Sequence, residues 1–147
     1  MRARSLALVL IAWSASPIVS GQELPRGTVI DKVACAKDPN QSYALYLPTA
    51  YSADRTWPIL YAFDPGARGR LPVERFRDAA ERLGVIVAGS NNSRNGPLTA
   101  SVDAMNAMYA DTRARFGLNL RRIYVTGFSG GARVAARCCN LCTTRML

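Results

Sequence analysis

The chain has 147 residues, 49% of them hydrophobic and 20% charged. That is one domain's worth of sequence with enough apolar material for a core, which excludes low-complexity and collagen-like classes and weighs against disorder. Its net charge of +9 comes from 19 basic against 10 acidic residues, and it contains no histidine at all. Any mechanism that needs an imidazole base or an imidazole metal ligand therefore cannot be completed by these residues alone. The basic residues are arginines apart from Lys32 and Lys37, and they are not gathered into a stripe. The densest group, Arg68, Arg70, Arg75, Arg77 and Arg82, is interleaved with Glu74, Asp78 and Glu81. That pattern describes a solvated helix face and not a nucleic-acid surface.

In chain order, the first element is a short basic start (MRAR), an apolar run over 5–13 (SLALVLIAW) and a small-residue stretch over 14–21 broken by Pro17. This is the order of a secretory signal peptide, and its apolar run is too short to cross a ~30 Å hydrocarbon layer as a helix. Residues 1–21 are therefore expected to be removed after Gly21, with Ser20 the neighbouring choice and an uncleaved anchor the alternative. The expected location is secreted or periplasmic, without stable membrane association after cleavage.

Residues 28–34 (TVIDKVA) and 42–47 (SYALYL) read as strands around an Asp-Pro-Asn-Gln turn at 38–41, giving an antiparallel hairpin that Pro48 stops. The continuous apolar run at 57–63 (WPILYAF) reads as a strand buried on both faces and breaks at Asp64-Pro65-Gly66. A helix is predicted over 72–83, with Pro72 in its first turn, Phe76, Ala79, Ala80 and Leu83 on one face, and Gly84 as its cap. Residues 85–90 (VIVAGS) form the next predicted strand and 91–97 (NNSRNGP) a loop. A second helix presents Val102, Met105, Tyr109, Thr112 and Phe116, with Gly117 placed to cap it. Residues 122–126 (RIYVT) form a fifth strand, and a third helix starts at Gly130. Alternation of strand and helix after a hairpin predicts an α/β sheet, parallel beyond the hairpin, with helices on both faces.

One junction carries chemistry. Gly127-Phe128-Ser129-Gly130-Gly131 is a G-x-S-x-G pentapeptide between a predicted strand and a predicted helix. A nucleophile on so sharp a turn needs neighbours without side chains, and the glycines supply the room. The turn would lift the Ser129 hydroxyl above the sheet, and the helix behind it would aim its positive end, and the Gly130 N–H, at a developing oxyanion. A glycine-rich turn that only feeds a strand into a helix, or holds an anion, is the plainer alternative.

From Ser42 to Ala136 the order SYALYLP, WPILYAFDPG, helix, VIVAGS, helix, RIYVTGFSGGARVA resembles the N-terminal half of a secreted α/β-hydrolase, closest to the esterase and polyhydroxybutyrate-depolymerase-like group. The resemblance implies a serine hydrolase of carboxylic esters, small or polymeric, with Ser129 as nucleophile and no cofactor or metal. It also implies a second oxyanion amide just after the third strand, where this chain reads Phe63-Asp64-Pro65-Gly66-Ala67. Asp64-Pro65 stands where the family often has His-Gly. Proline has no N–H, so the donor would be Gly66 or Ala67.

The family's acid and histidine follow the serine, whereas every acidic residue here precedes it, the last being Asp111. None of Asp64, Asp103 or Asp111 matches the acid position. The expectation is an incomplete hydrolase domain over 22–147, nearly inert by itself because a serine without a base is a poor nucleophile. Residues 137–147 (RCCNLCTTRML) depart from the family's pattern. Their Cys-x-x-Cys spacing could suggest metal, but zinc would need two further ligands. In the family's order the fifth strand is central, so an apolar edge is expected beside it. Two other readings are a non-catalytic α/β binding or interaction domain with a glycine-rich turn, and a hydrolase completed by a second polypeptide.

Overall fold

The computed structural model describes residues 24–145, with side chains to Cys138. The expected signal peptide, and the side chains of Cys139 and Cys142, lie outside these residues. The elements run β1 (Val29–Ala34), β2 (Ser42–Tyr46), β3 (Trp57–Phe63), α1 (Arg70–Leu83), β4 (Ile86–Ser90), α2 (Leu98–Arg115), β5 (Leu118–Gly127) and α3 (Gly130–Arg145). They build one sheet in the order β1-β2-β4-β3-β5. β1 pairs antiparallel with β2, and β2 antiparallel with β4, while β4, β3 and β5 are mutually parallel. The expected α/β class, with its antiparallel hairpin and later parallel strands, is the observed one.

Strand alternation divides the core in two. Tyr43, Leu45, Ile59, Tyr61, Phe63 and Ile86 point to the face covered by α2 and α3, where Met105, Met108, Val134 and Ala135 meet them. Ala44, Tyr46 and Val87 point to the other face and meet Val73 and Ala80 of α1. The apolar runs of β2, β3 and β4 follow from this, since a strand covered on both sides has no solvent face to fill with polar residues. β5 differs: among the described residues its only sheet neighbour is β3, and Leu120 and Tyr124 remain 39% and 48% exposed. An exposed apolar edge is therefore present at the expected strand.

Two local expectations need correction. α1 buries Val73 and Ala80, whereas Phe76 and Leu83 stay 36% and 71% exposed, because nothing among the described residues covers that flank of the helix. α2 begins at once after Pro97 and ends at Arg115, with extended Phe116 as its cap. Gly117 is thus not a left-handed cap; a Cβ there would press on the Arg55 carbonyl, and the Gly117 carbonyl accepts the Trp57 N–H at 2.7 Å. Gly84 does cap α1 in the left-handed conformation, at φ +63°.

The buried face also holds a polar anchor that the apolar periodicity of α2 conceals. The Asp111 carboxylate accepts hydrogen bonds from the Tyr43 hydroxyl (2.8 Å), the Ala36 amide (2.8 Å) and Arg115 Nε (2.6 Å). Burial pushes the Asp111 pKa up, but the three donors outweigh it and hold the carboxyl below its ordinary range. Next to it, Tyr61 and Thr112 share a buried hydrogen bond of 2.7 Å.

Candidate functional site

β3 and β5 run side by side to a common end, with Phe63 opposite Gly127. Beyond that pair the chain reverses within two residues. Phe128 N–H donates to the Phe63 carbonyl (3.2 Å), Gly131 N–H to the Phe128 carbonyl (2.8 Å), and Ala132 N–H to the Ser129 carbonyl (2.9 Å), which starts α3. Ser129 takes φ +51°, a left-handed conformation uncommon for a residue with a side chain. Such strain persists only where the surroundings impose it. Here they do: a Cβ on Gly127 would strike the Gly131 backbone, and one on Gly131 would strike the Phe63 carbonyl. The result is a tight strand-to-helix turn that leaves Ser129 exposed at the end of the sheet, with Phe128 68% exposed beside it. Among the described residues the Gly130 N–H has no hydrogen-bond partner, and it opens a helix of 16 residues whose positive end therefore faces the same space.

The segment after β3 is organised by Asp64, only 3% exposed. Its carboxylate accepts from Arg68 Nε (2.8 Å) and Nη2 (3.0 Å) and from the Gly66 N–H (2.8 Å). The Arg68 bonds hold the Asp64 carboxyl below the usual range. The Gly66 amide, one of the two expected oxyanion donors, thus donates to Asp64 in this structure. The Ala67 N–H makes a longer bond, 3.3 Å, to the Asp64 carbonyl, and Ala67 itself sits at φ +57°.

The loop between β4 and α2, legible in the sequence only as turn residues, closes over the serine turn. Gly66 and Arg94 form an isolated antiparallel bridge, and the Asn95 N–H donates to the Pro65 carbonyl at 2.8 Å. The Asn95 carboxamide lies directly over Gly130, where it occupies the place a Cβ would need. Sequence spacing gives no signal for this, because the contact joins positions on separate connections.

A cleft of about 340 Å³ opens beside the turn, lined in part by Phe63, Asp64, Arg68, Thr126, Gly127 and Phe128. A second depression of about 270 Å³ lies farther down the α1 side, between Leu60, Phe76, Leu83 and Tyr124. Asp64 is the carboxylate that reaches the cleft, and Arg68 occupies it; Asp111 is committed to its network on the far face, and Asp103 is exposed on α2. Among the described residues no free acid is brought to Ser129. Among the described residues no group of three or more potential metal ligands is found, and the Cys35 and Cys138 side chains are buried.

No protein-family model matches the sequence, and no curated protein matches it. Solved structures match the fold. An acetyl xylan esterase from Aspergillus awamori superposes with a TM-score of 0.57 at 18% identity, covering 74% of this chain and 45% of that one. An esterase from Pyrobaculum calidifontis gives 0.58 at 19% identity over 82% of this chain and 42% of its own. A poly(3-hydroxybutyrate) depolymerase from Bordetella parapertussis gives 0.51 at 18% identity, over 66% and 41%. The chain thus spans less than half the length of each of these enzymes. At such identities the likeness is one of architecture, and the architecture this chain carries is a partial α/β-hydrolase fold.

Proposed function

We propose that this chain is the nucleophile-bearing part of a secreted serine hydrolase acting on carboxylic esters. The observation that carries the reading is the strained Ser129, at φ +51°, on a strand-to-helix turn whose flanking glycines admit no side chain. A turn that merely joined β5 to α3 would have no need to place a side-chain-bearing residue in that conformation. The esterase names of the architectural neighbours agree with it.

In the proposed reaction Ser129 Oγ attacks the ester carbonyl carbon, forming a C–O bond as the carbonyl electron pair moves onto oxygen. The Gly130 N–H and the positive end of α3 stabilise that oxyanion. Collapse restores the carbonyl and breaks the bond to the alkoxy group, which leaves with a proton as an alcohol. Water then repeats the sequence on the acyl-serine and releases the acid. The Ser129 proton needs a base that this chain does not offer: there is no histidine, and the Asp64 carboxylate is taken up by Arg68 and the Gly66 N–H, which lowers its basicity. An imidazole and its orienting acid are supplied from outside these 147 residues.

A fluorophosphonate probe tests the assignment, since it phosphonylates an activated serine and mimics the tetrahedral intermediate. Folded chain is expected to be labelled slowly at Ser129 and not at all in Ser129→Ala. Labelling of the folded chain no faster than of urea-unfolded chain, or undiminished labelling of the variant, would remove Ser129 from this role.

A further inference from the structure

The geometry points to the Asn95 carboxamide as the second donor of the oxyanion site, a role that rests on the reading of Ser129 as nucleophile. In the proposed reaction the Gly130 N–H donates to the oxyanion, and one backbone donor alone leaves most of that oxygen's lone pairs without a partner. The segment after β3 does not supply the other. Pro65 has no N–H, the Gly66 N–H is bound to the Asp64 carboxylate at 2.8 Å, and Ala67 N–H points back to the Asp64 carbonyl.

Asn95 has what those amides lack. Its side chain rests over Gly130, and among the described residues the carboxamide makes no hydrogen bond of its own. Its position is fixed from behind: the Asn95 N–H is held by the Pro65 carbonyl, and Arg94 bridges to Gly66. A half-turn about the terminal torsion exchanges Oδ1 and Nδ2 at little cost, so the NH₂ group can face the space in front of the Gly130 N–H. The requirement for glycine at 130 gains a reason from this. Any side chain there would displace Asn95 from the turn.

The test uses Ser129→Cys, which carries a nucleophile with a pKa of about 8.5 and so needs no histidine. Two rates are read by mass spectrometry on the peptide containing position 129, which separates it from the other cysteines. Acetylation by p-nitrophenyl acetate passes through an oxyanion; alkylation by iodoacetamide displaces iodide and does not. The acetylation-to-alkylation ratio is expected to exceed that of a short reference peptide thiol. In the double variant with Asn95→Ala it is expected to fall by about 10²-fold, the usual cost of one oxyanion donor. With Asn95→Asp, whose charge repels the oxyanion, it falls further.

An unchanged ratio in the Asn95→Ala background overturns the role of Asn95 while leaving the serine reading intact. Equal loss of both rates overturns it too, because a merely structural residue would act on the thiol's exposure and not on the ratio. A parent ratio no higher than the peptide's overturns the hydrolase reading and the Asn95 role with it.

Discussion

The two faces of the sheet are made from the same strands, yet one is closed and the other is open. On the α2/α3 face Tyr43, Tyr61, Ile59 and Met108 are at most 1% exposed, and the polar groups among them are paired through Asp111 and Thr112. On the α1 face Val73 and Ala80 are buried, but Phe76, Leu83 and Tyr124 look outward around a depression of about 270 Å³. The difference shows where stability resides. A single helix covers part of a sheet face, while α2 and α3 together bury the side chains of β2, β3 and β4, and α2 sets a charged anchor against β2.

Breaking the closed face is expected to give the largest effects. Asp111→Ala leaves the Tyr43 hydroxyl, the Ala36 amide and Arg115 without their acceptor and is expected to cost about 4 kcal/mol, measured by urea unfolding. The pH dependence has a definite sign. Because the folded carboxyl titrates below its ordinary value, its contribution is complete above about pH 4 and is lost as pH falls through the folded value. The wild-type chain should therefore lose stability below pH 4 more steeply than the variant. At the alkaline end, burial first and the Asp111 charge second push Cys35 from 9.0 up to about 11, so the folded state keeps a neutral thiol and its advantage fades between those values.

A pair of truncations sharpens the comparison. Met108→Ala, at 1% exposure, should cost about 3 kcal/mol, whereas Leu83→Ala, at 71% exposure, should cost less than about 0.5 kcal/mol by the same unfolding assay. Equal costs would mean that the open face is covered in solution. The smallest effect is spectroscopic: 1-anilinonaphthalene-8-sulfonate fluorescence should rise on binding the chain and drop severalfold when Leu83 and Tyr124 are both replaced by lysine, with little change in stability.

The sequence displayed most of this architecture because the strands at 42–46, 57–63 and 86–90 are apolar runs bounded by turn residues, and the glycines at 127, 130 and 131 mark the turn by their spacing. It did not display which apolar residues would be covered. Phe76 and Leu83 satisfy helical periodicity as well as Val73 and Ala80 do, and periodicity records a face without recording what packs on it. Asp111 was hidden for the opposite reason, since its partners Tyr43 and Ala36 are far away in the chain and only Arg115, four residues on, is a local signal. The site divides in the same way. Ser129 and Gly130 lie in one contiguous motif, while the engagement of Gly66 by Asp64 and the placement of Asn95 depend on loops from three connections meeting in space.

The strand that leads into Ser129, β5, is also one with a single sheet neighbour among the described residues. Every second amide of β5 faces away from β3, so hydrogen exchange along 118–127 should be faster than in β3 or β4, which are flanked on both sides. A nucleophile must be held to within about half an ångström to react well. Here that precision rests on a strand able to breathe, so whatever stiffens β5 will set how sharply Ser129 is aimed.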